Sequence, residues 1–208
     1  METLSKEIDI YYTIDKQETA EIKILGSRFI AHANHASSKE IALDFLNNIK
    51  LQYHDATHNC FAYKIGKNGL EFRAVDDGEP SGSAGKPILF SINKHKLSDI
   101  IVVVTRYFGG KKLGVGGLAR AYSQSADEVL KKCERKKIHI TTPVKIICTY
   151  EDLDVIKRLL SKESVSFEEK YHDVAEFVAH VPSSNTESFI DMVISSTKAR
   201  AGANVINI

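Results

Sequence analysis

The chain has no tryptophan among its 208 residues, and only two methionines, three cysteines and four prolines. Cys60, Cys133 and Cys148 are odd in number and far apart, which excludes a disulfide framework and suits a reducing compartment. No apolar run approaches the roughly 20 residues that cross a bilayer, so no membrane partner is expected. The opening "METLSKEIDIYYTIDKQ" lacks the basic-then-apolar order of a secretory leader, and a cytoplasmic protein is expected. A large net charge is missing too, the formal value being +1. What remains, 43% hydrophobic and 26% charged residues, is the composition of a folded chain of one large or two small domains.

That small net charge hides an uneven distribution. Residues 106–137 hold nine Lys/Arg against three Asp/Glu, while the segments on either side are slightly acidic. Such a segment attracts a polyanion, or it is the solvated face of a helix.

The apolar pattern describes two α/β halves. "IDIYYTI" and "AEIKILG" read as a hairpin around "DKQET", with "SRFIAHA" as a third strand. "SSKEIALDFLNNIK" reads as a helix capped by Ser37 or Ser38, with Ile41, Phe45 and Ile49 at helical spacing. "HNCFAYKIG" and "GLEFRAV" flank an Asn68-Gly69 turn. "KPILFSINKHK" suits a short helix with Pro87 in its first turn, and the β-branched "DIIVVVTRYF" a buried strand. From Gly117 to about Arg135, Leu118, Tyr122, Ala126, Val129 and Cys133 form one helical stripe. The pattern then restarts as strand, helix, two strands, helix capped near Ser184 or Asn185, and a final strand "ANVINI". This βαββαβ order is ferredoxin-like. An α+β protein with domains at 1–137 and 138–208 is therefore expected.

Several motifs fail on context. "GVGGLA" at 114–119 has the letters of a dinucleotide fingerprint, but Gly114 comes ten positions after Val104 and no acid closes a following strand. "SGSAGKP" has Pro80 and Pro87 where a phosphate-binding Walker loop needs Gly and Ser/Thr. His54 with His58, and His32 with His35, lack the neighbouring Glu of a metalloprotease, and no metal site or cofactor is expected. Ser81 and Ser83 have acids nearby but no histidine close in sequence to act as base.

Two glycine-rich loops remain, each opening a helix. The first carries Asp76, Asp77, Gly78, Glu79, Ser81, Gly82, Ser83, Gly85 and Lys86. The second carries Arg106, Tyr107, Gly109, Gly110, Lys111, Lys112, Gly114, Gly116, Gly117 and Arg120. Free N–H groups at a helix start bind anions, and glycine lets a phosphate approach the backbone. The alternative is two ordinary turns whose acids cap nearby N–H groups.

"DDGEPSGSAGKPIL" followed by "IIVVVTRYFGGKKLGVGGLARAY" resembles the YigZ/IMPACT family of translation-associated proteins, over about residues 18–128. The resemblance implies a β-α sandwich like domain four of elongation factor G, then a ferredoxin-like domain like its domain five. Relatives of both modules contact ribosomal RNA, which implies RNA or ribosome binding without catalysis and indicates no preference for DNA. Eukaryotic IMPACT proteins act instead through protein contacts in the response to amino-acid starvation, so a protein-binding regulator is the alternative. An enzyme acting on a phosphorylated small molecule ranks third, and acids at 76, 77 and 79 facing the glycine loops would favour it. Under the RNA reading the second loop meets phosphates, Tyr107 or Phe108 stacks on a base, and the strand-end Phe108 is expected in the core.

Overall fold

The computed structural model describes residues 9–67 and 69–207. Its internal contacts divide the chain into two units, one spanning Tyr11–Ile138 and the other joining Asp9 and Ile10 to the stretch from His139 onward.

In the first unit, β2 (Glu18–Ile24), β3 (Ser27–His35), β4 (His58–Ile65), β5 (Glu71–Val75) and β6 (Ile100–Tyr107) form one antiparallel sheet. Their order is β2-β3-β6-β4-β5. The β-branched run of β6 becomes the central strand, buried from Ile100 to Arg106, as a strand covered on both faces must be. On one face, Phe29, Cys60, Val102 and Val104 pack against α2 (Gly85–Lys94) and α3 (Gly114–Lys132). On the other, Phe61, Tyr63, Ile101 and Val103 meet α1 (Lys39–Gln52).

Ser38 caps α1 by accepting the Ile41 N–H at 3.3 Å. The buried side of α1 is Ala42, Phe45, Leu46 and Ile49, whereas Ile41, expected on that stripe, is 43% exposed. The whole stripe of Leu118, Tyr122, Ala126, Val129 and Cys133, the last just past the end of α3, is buried, as its spacing predicts. Each large side chain buried there is worth roughly 1.5–3 kcal/mol. The Tyr122 ring meets Phe29 edge-on, with centroids 5.3 Å apart.

One expected pairing is replaced. β1 (Ile10–Ile14) does not form a hairpin with β2; it pairs with β7 (Arg135–His139) in a separate two-stranded sheet. The hairpin is β2–β3 instead. Ile24 pairs with Ser27, and Leu25 and Gly26 between them have φ of 46° and 80°. Two consecutive positive φ values match the right-handed twist of the flanking strands, which a longer "DKQET" connection does not require. The Asn68-Gly69 turn includes Asn68, which lies outside the described residues; Gly69 has φ +57°.

In the second unit, β8 (Thr141–Cys148), β9 (Ser166–Tyr171), β10 (Ala175–Pro182) and β11 (Gly202–Val205) form an antiparallel sheet ordered β11-β8-β10-β9. With α4 (Leu153–Glu163) and α5 (Thr186–Ser196) this is the ferredoxin-like βαββαβ arrangement. β10 alternates buried and half-buried residues along its length, the signature of a sheet covered on one face. Its Phe177, Ala179 and Val181 share a core with Ile156, Leu160, Phe189 and Val193. The continuous strand expected from Ile138 to Tyr150 is broken at Ile140, and its two parts join different sheets. Ser184 does not cap α5 but donates its backbone N–H to the Asp9 carboxylate at 3.1 Å.

Candidate nucleic-acid interface

The register of the first sheet places the two glycine loops together. Arg106 near the end of β6 pairs with His58 at the start of β4, and Tyr107 pairs with Arg28 near the start of β3. The loop that follows β5 reaches the same end of the sheet before entering α2, because Arg106 Nη1 donates to Glu79 Oε1 at 2.5 Å. Both side chains are almost fully buried.

Around this ion pair lies a closed polar cluster. The Tyr122 hydroxyl donates to Glu79 Oε1 at 2.8 Å, and Arg106 Nη2 donates to Ser27 Oγ at 3.3 Å. The Cys60 thiol donates to the Asp76 carbonyl at 2.9 Å and lies 3.3 Å from the Tyr122 hydroxyl. Burial pushes the Cys60 thiol up to about 12 and raises the Tyr122 phenol as well, so both remain protonated at neutral pH. Cys60 is therefore no nucleophile. Arg106 Nε is buried and has no hydrogen-bond partner among the described residues.

The two helix starts differ. Asp76 closes that of α2: its Oδ1 accepts the Ala84 and Gly85 N–H groups at 2.9 and 2.8 Å, and its Oδ2 accepts Gly82 N–H at 2.8 Å. Burial acts to raise the Asp76 pKa, but these three donors outweigh it and hold the carboxyl below its usual value. Asp77, at φ 45°, accepts the Asn59 N–H at 2.7 Å and Lys50 Nζ at 3.0 Å. The three acids thus point to backbone donors, Lys50 and Arg106 rather than to one common point. Among the described residues no three His, Cys, Asp or Glu side chains gather around a metal-sized space. At α2 the arrangement is the capped turn weighed against anion binding.

The start of α3 has no such cap. The helix begins at Gly114, three residues before the expected Gly117, and among the described residues no side chain accepts its first N–H groups. Gly110 and Gly114 have φ of +85° and +70°. Gly109 serves packing: a Cβ there would lie 1.8 Å from the Gly26 carbonyl carbon. Gly85 does likewise, with a Cβ 2.4 Å from the Val75 nitrogen. Gly116 is different, since its φ is not positive and the nearest atom to a Cβ would be Arg120 Nη1 at 3.8 Å. Gly85→Ala or Gly109→Ala is expected to cost about 1–3 kcal/mol through overpacking. Gly116→Ala should leave stability unchanged or raise it by up to about 1 kcal/mol. Thermal unfolding of the three variants checks this ordering.

Beside the start of α3 lies an open groove of about 360 Å³, walled by Pro80, Phe108, Leu113, Val115 and Leu118 with Lys112 and the Arg106–Glu79 ion pair alongside. Among the described residues no acidic side chain pairs with Lys111, Lys112 or Arg120, all of which are exposed.

The family model for the Impact N-terminal domain matches residues 25–130, a stretch that contains both loops and the groove. The chain is 40% identical over 195 residues to "IMPACT family member YvyE" of Bacillus subtilis, covering 92% of this chain and 88% of the relative. It belongs to the IMPACT family. Another member, YigZ of Escherichia coli, is 34% identical over 67% of this chain and 70% of its own. A solved structure described as a hypothetical protein superposes with a TM-score of 0.67 at 26% identity, covering 96% of this chain and 98% of that one.

Within this IMPACT domain the residues singled out by sequence separate into four groups. Lys111, Lys112, Gly114, Gly116 and Arg120 are exposed around the α3 start, with Gly117 half-buried beside them. Arg106, Glu79, Asp76, Asp77, Ser83 and Gly85 serve as internal struts; Ser83 Oγ, for example, donates to the Pro80 carbonyl at 2.6 Å. Gly78 and Gly82 provide positive φ within the first loop, and Ser81 and Lys86 are exposed. Tyr107 points to the opposite face, where its hydroxyl donates to Asp55 Oδ1 at 2.7 Å. Phe108, expected in the core, is 48% exposed because β6 ends one residue earlier. Sequence reasoning missed Cys60, Tyr122, Ser27 and Pro80 as members of the site. Alternation along β6 is the one signal that places Phe108 on the same side as Arg106.

Proposed function

We propose that this IMPACT-family protein is a non-enzymatic RNA- or ribosome-binding regulator of translation that acts in the cytoplasm without a cofactor. The observation that carries the reading is the unneutralised trio Lys111, Lys112 and Arg120 around the uncapped start of α3. Helix N–H groups, the helix dipole and lysines together favour phosphate oxygens. Family membership supports the link to translation. Arg106 leaves the set of charges that release counterions, because Glu79 already balances its charge.

Three cations rather than four then set the salt dependence. Single-stranded RNA gives about −0.7 in log affinity against log salt per phosphate contact, so the expected slope is roughly −2. Lys111→Ala with Lys112→Ala should reduce its magnitude by about 1.4 with the fold unchanged by circular dichroism. A salt series of RNA-binding titrations on wild type and double variant makes the measurement. Absence of RNA or ribosome binding even at low salt would sink the reading. A protein-binding regulator is the second reading, favoured by the apolar wall at Phe108 and Val115, the latter 58% exposed. A partner held by such anchors shows much weaker salt dependence.

A further inference from the structure

We infer that the groove beside α3 holds one unpaired nucleotide, with its phosphate at the helix start and its base on Phe108. This rests on the RNA-binding reading and assigns that reading a subsite.

Four observations converge on it. The first turn of a 19-residue helix has N–H groups that no side chain caps, beside exposed Lys112. Arg106 lines the same groove, is only 5% exposed, and has a buried Nε with no acceptor although its Nη atoms are both bonded. Glu79 lines the groove as well, but its Oε1 already accepts from Arg106 and Tyr122. A buried donor without an acceptor is costly, so an occupant that offers Nε an acceptor gains over a purely apolar chain. Gly116 has no positive φ and no packing neighbour that requires glycine, yet it lowers helix propensity; a bare backbone there lets a phosphate reach the N–H groups. Finally, the Arg106 guanidinium carbon lies 5.6 Å from the centre of the Phe108 ring, which keeps almost half its surface exposed. An aromatic ring backed by a cation is a stacking platform for a base.

Size agrees with this occupant. The groove of about 360 Å³ lies at the small end of the roughly 300–1,000 Å³ of ligand clefts. Its apolar wall of Pro80 and Val115 faces a base or sugar better than it faces bare phosphate. A duplex presents no free base face, so the inference specifies single-stranded or looped RNA.

The test titrates the full chain at low salt with AMP, adenosine and inorganic phosphate, following amide shifts by NMR. AMP should bind more tightly than either of its parts. Phe108→Ala should weaken AMP about tenfold and leave phosphate unchanged. Lys112→Ala and Gly116→Val should weaken both AMP and phosphate, with circular dichroism confirming the fold. AMP binding no tighter than phosphate, or indifferent to Phe108→Ala, overturns the base platform. Tighter binding of a peptide through its terminal carboxylate and an apolar last residue also overturns it. If none of the three small probes binds while RNA still binds with the expected salt slope, the subsite is refuted and the RNA reading stands. If RNA binding is absent as well, both fall.

Discussion

Glu79→Ala is expected to lower the unfolding free energy by about 3–5 kcal/mol, because it leaves the Arg106 guanidinium charged and buried without its partner. Both side chains are at most 6% exposed, so water cannot take over the lost contact. Tyr122 loses its acceptor in the same substitution, since its hydroxyl donates to that carboxylate oxygen. Arg106→Ala should cost a similar amount from the other side. The double replacement Glu79→Leu with Arg106→Met should recover much of the loss, because paired removal leaves no orphaned charge. Urea unfolding of the two singles and the double forms a double-mutant cycle. Single-variant losses below about 1 kcal/mol would mean that the pair does not join the two loops. The result bears on function, because this ion pair bridges the loop that contains Pro80 to the strand that leads into Phe108.

Acid should weaken the fold through His32 by about 3 kcal/mol between pH 6.5 and pH 4. Burial lowers the pKa of this imidazole from 6.5 to about 4. The ring is 2% exposed on β3, its Nδ1 lies 3.1 Å from Thr19 Oγ1 on the paired strand β2, and its Nε2 is unpartnered. Between the two values the unfolded chain takes up a proton that the folded protein refuses. The contribution is therefore complete above pH 6.5, declines as pH falls, and levels off below pH 4. His32→Phe should remove that slope while the carboxylate-dependent loss at lower pH remains. Unfolding free energies of both proteins at half-unit steps from pH 7.5 to pH 4 decide it. Parallel profiles would place His32 in contact with solvent.

Elements were legible wherever local pattern and burial agreed. The run Ile100–Val104 is β-branched without interruption and became the buried central strand. The α3 stripe kept its period through five buried positions, and the second half's element order matched its sheet. Pairing was less legible. β1 joined β7 across more than a hundred residues, since an edge strand pairs by what the fold brings alongside it, and no local signal announces that partner. The helix face of Ile41 was misplaced because Ala42 and Leu46, with no stronger a local signal, sit nearer the sheet.

The candidate site divides along the same line. Sequence by itself determined that two glycine loops open two helices and that residues 106–137 concentrate positive charge. It also carried the family resemblance, because these are properties of neighbouring residues or of fixed strings. Only the tertiary structure decided which charges are free. Glu79 reaches Arg106 across 27 positions and removes it from the exposed set, while Asp76 closes the start of α2 and leaves that of α3 open. The physical reason is that electrostatic pairing and burial depend on distance in space. The antiparallel register of β4 and β6 sets that distance, and it lies outside the reach of spacing along the chain.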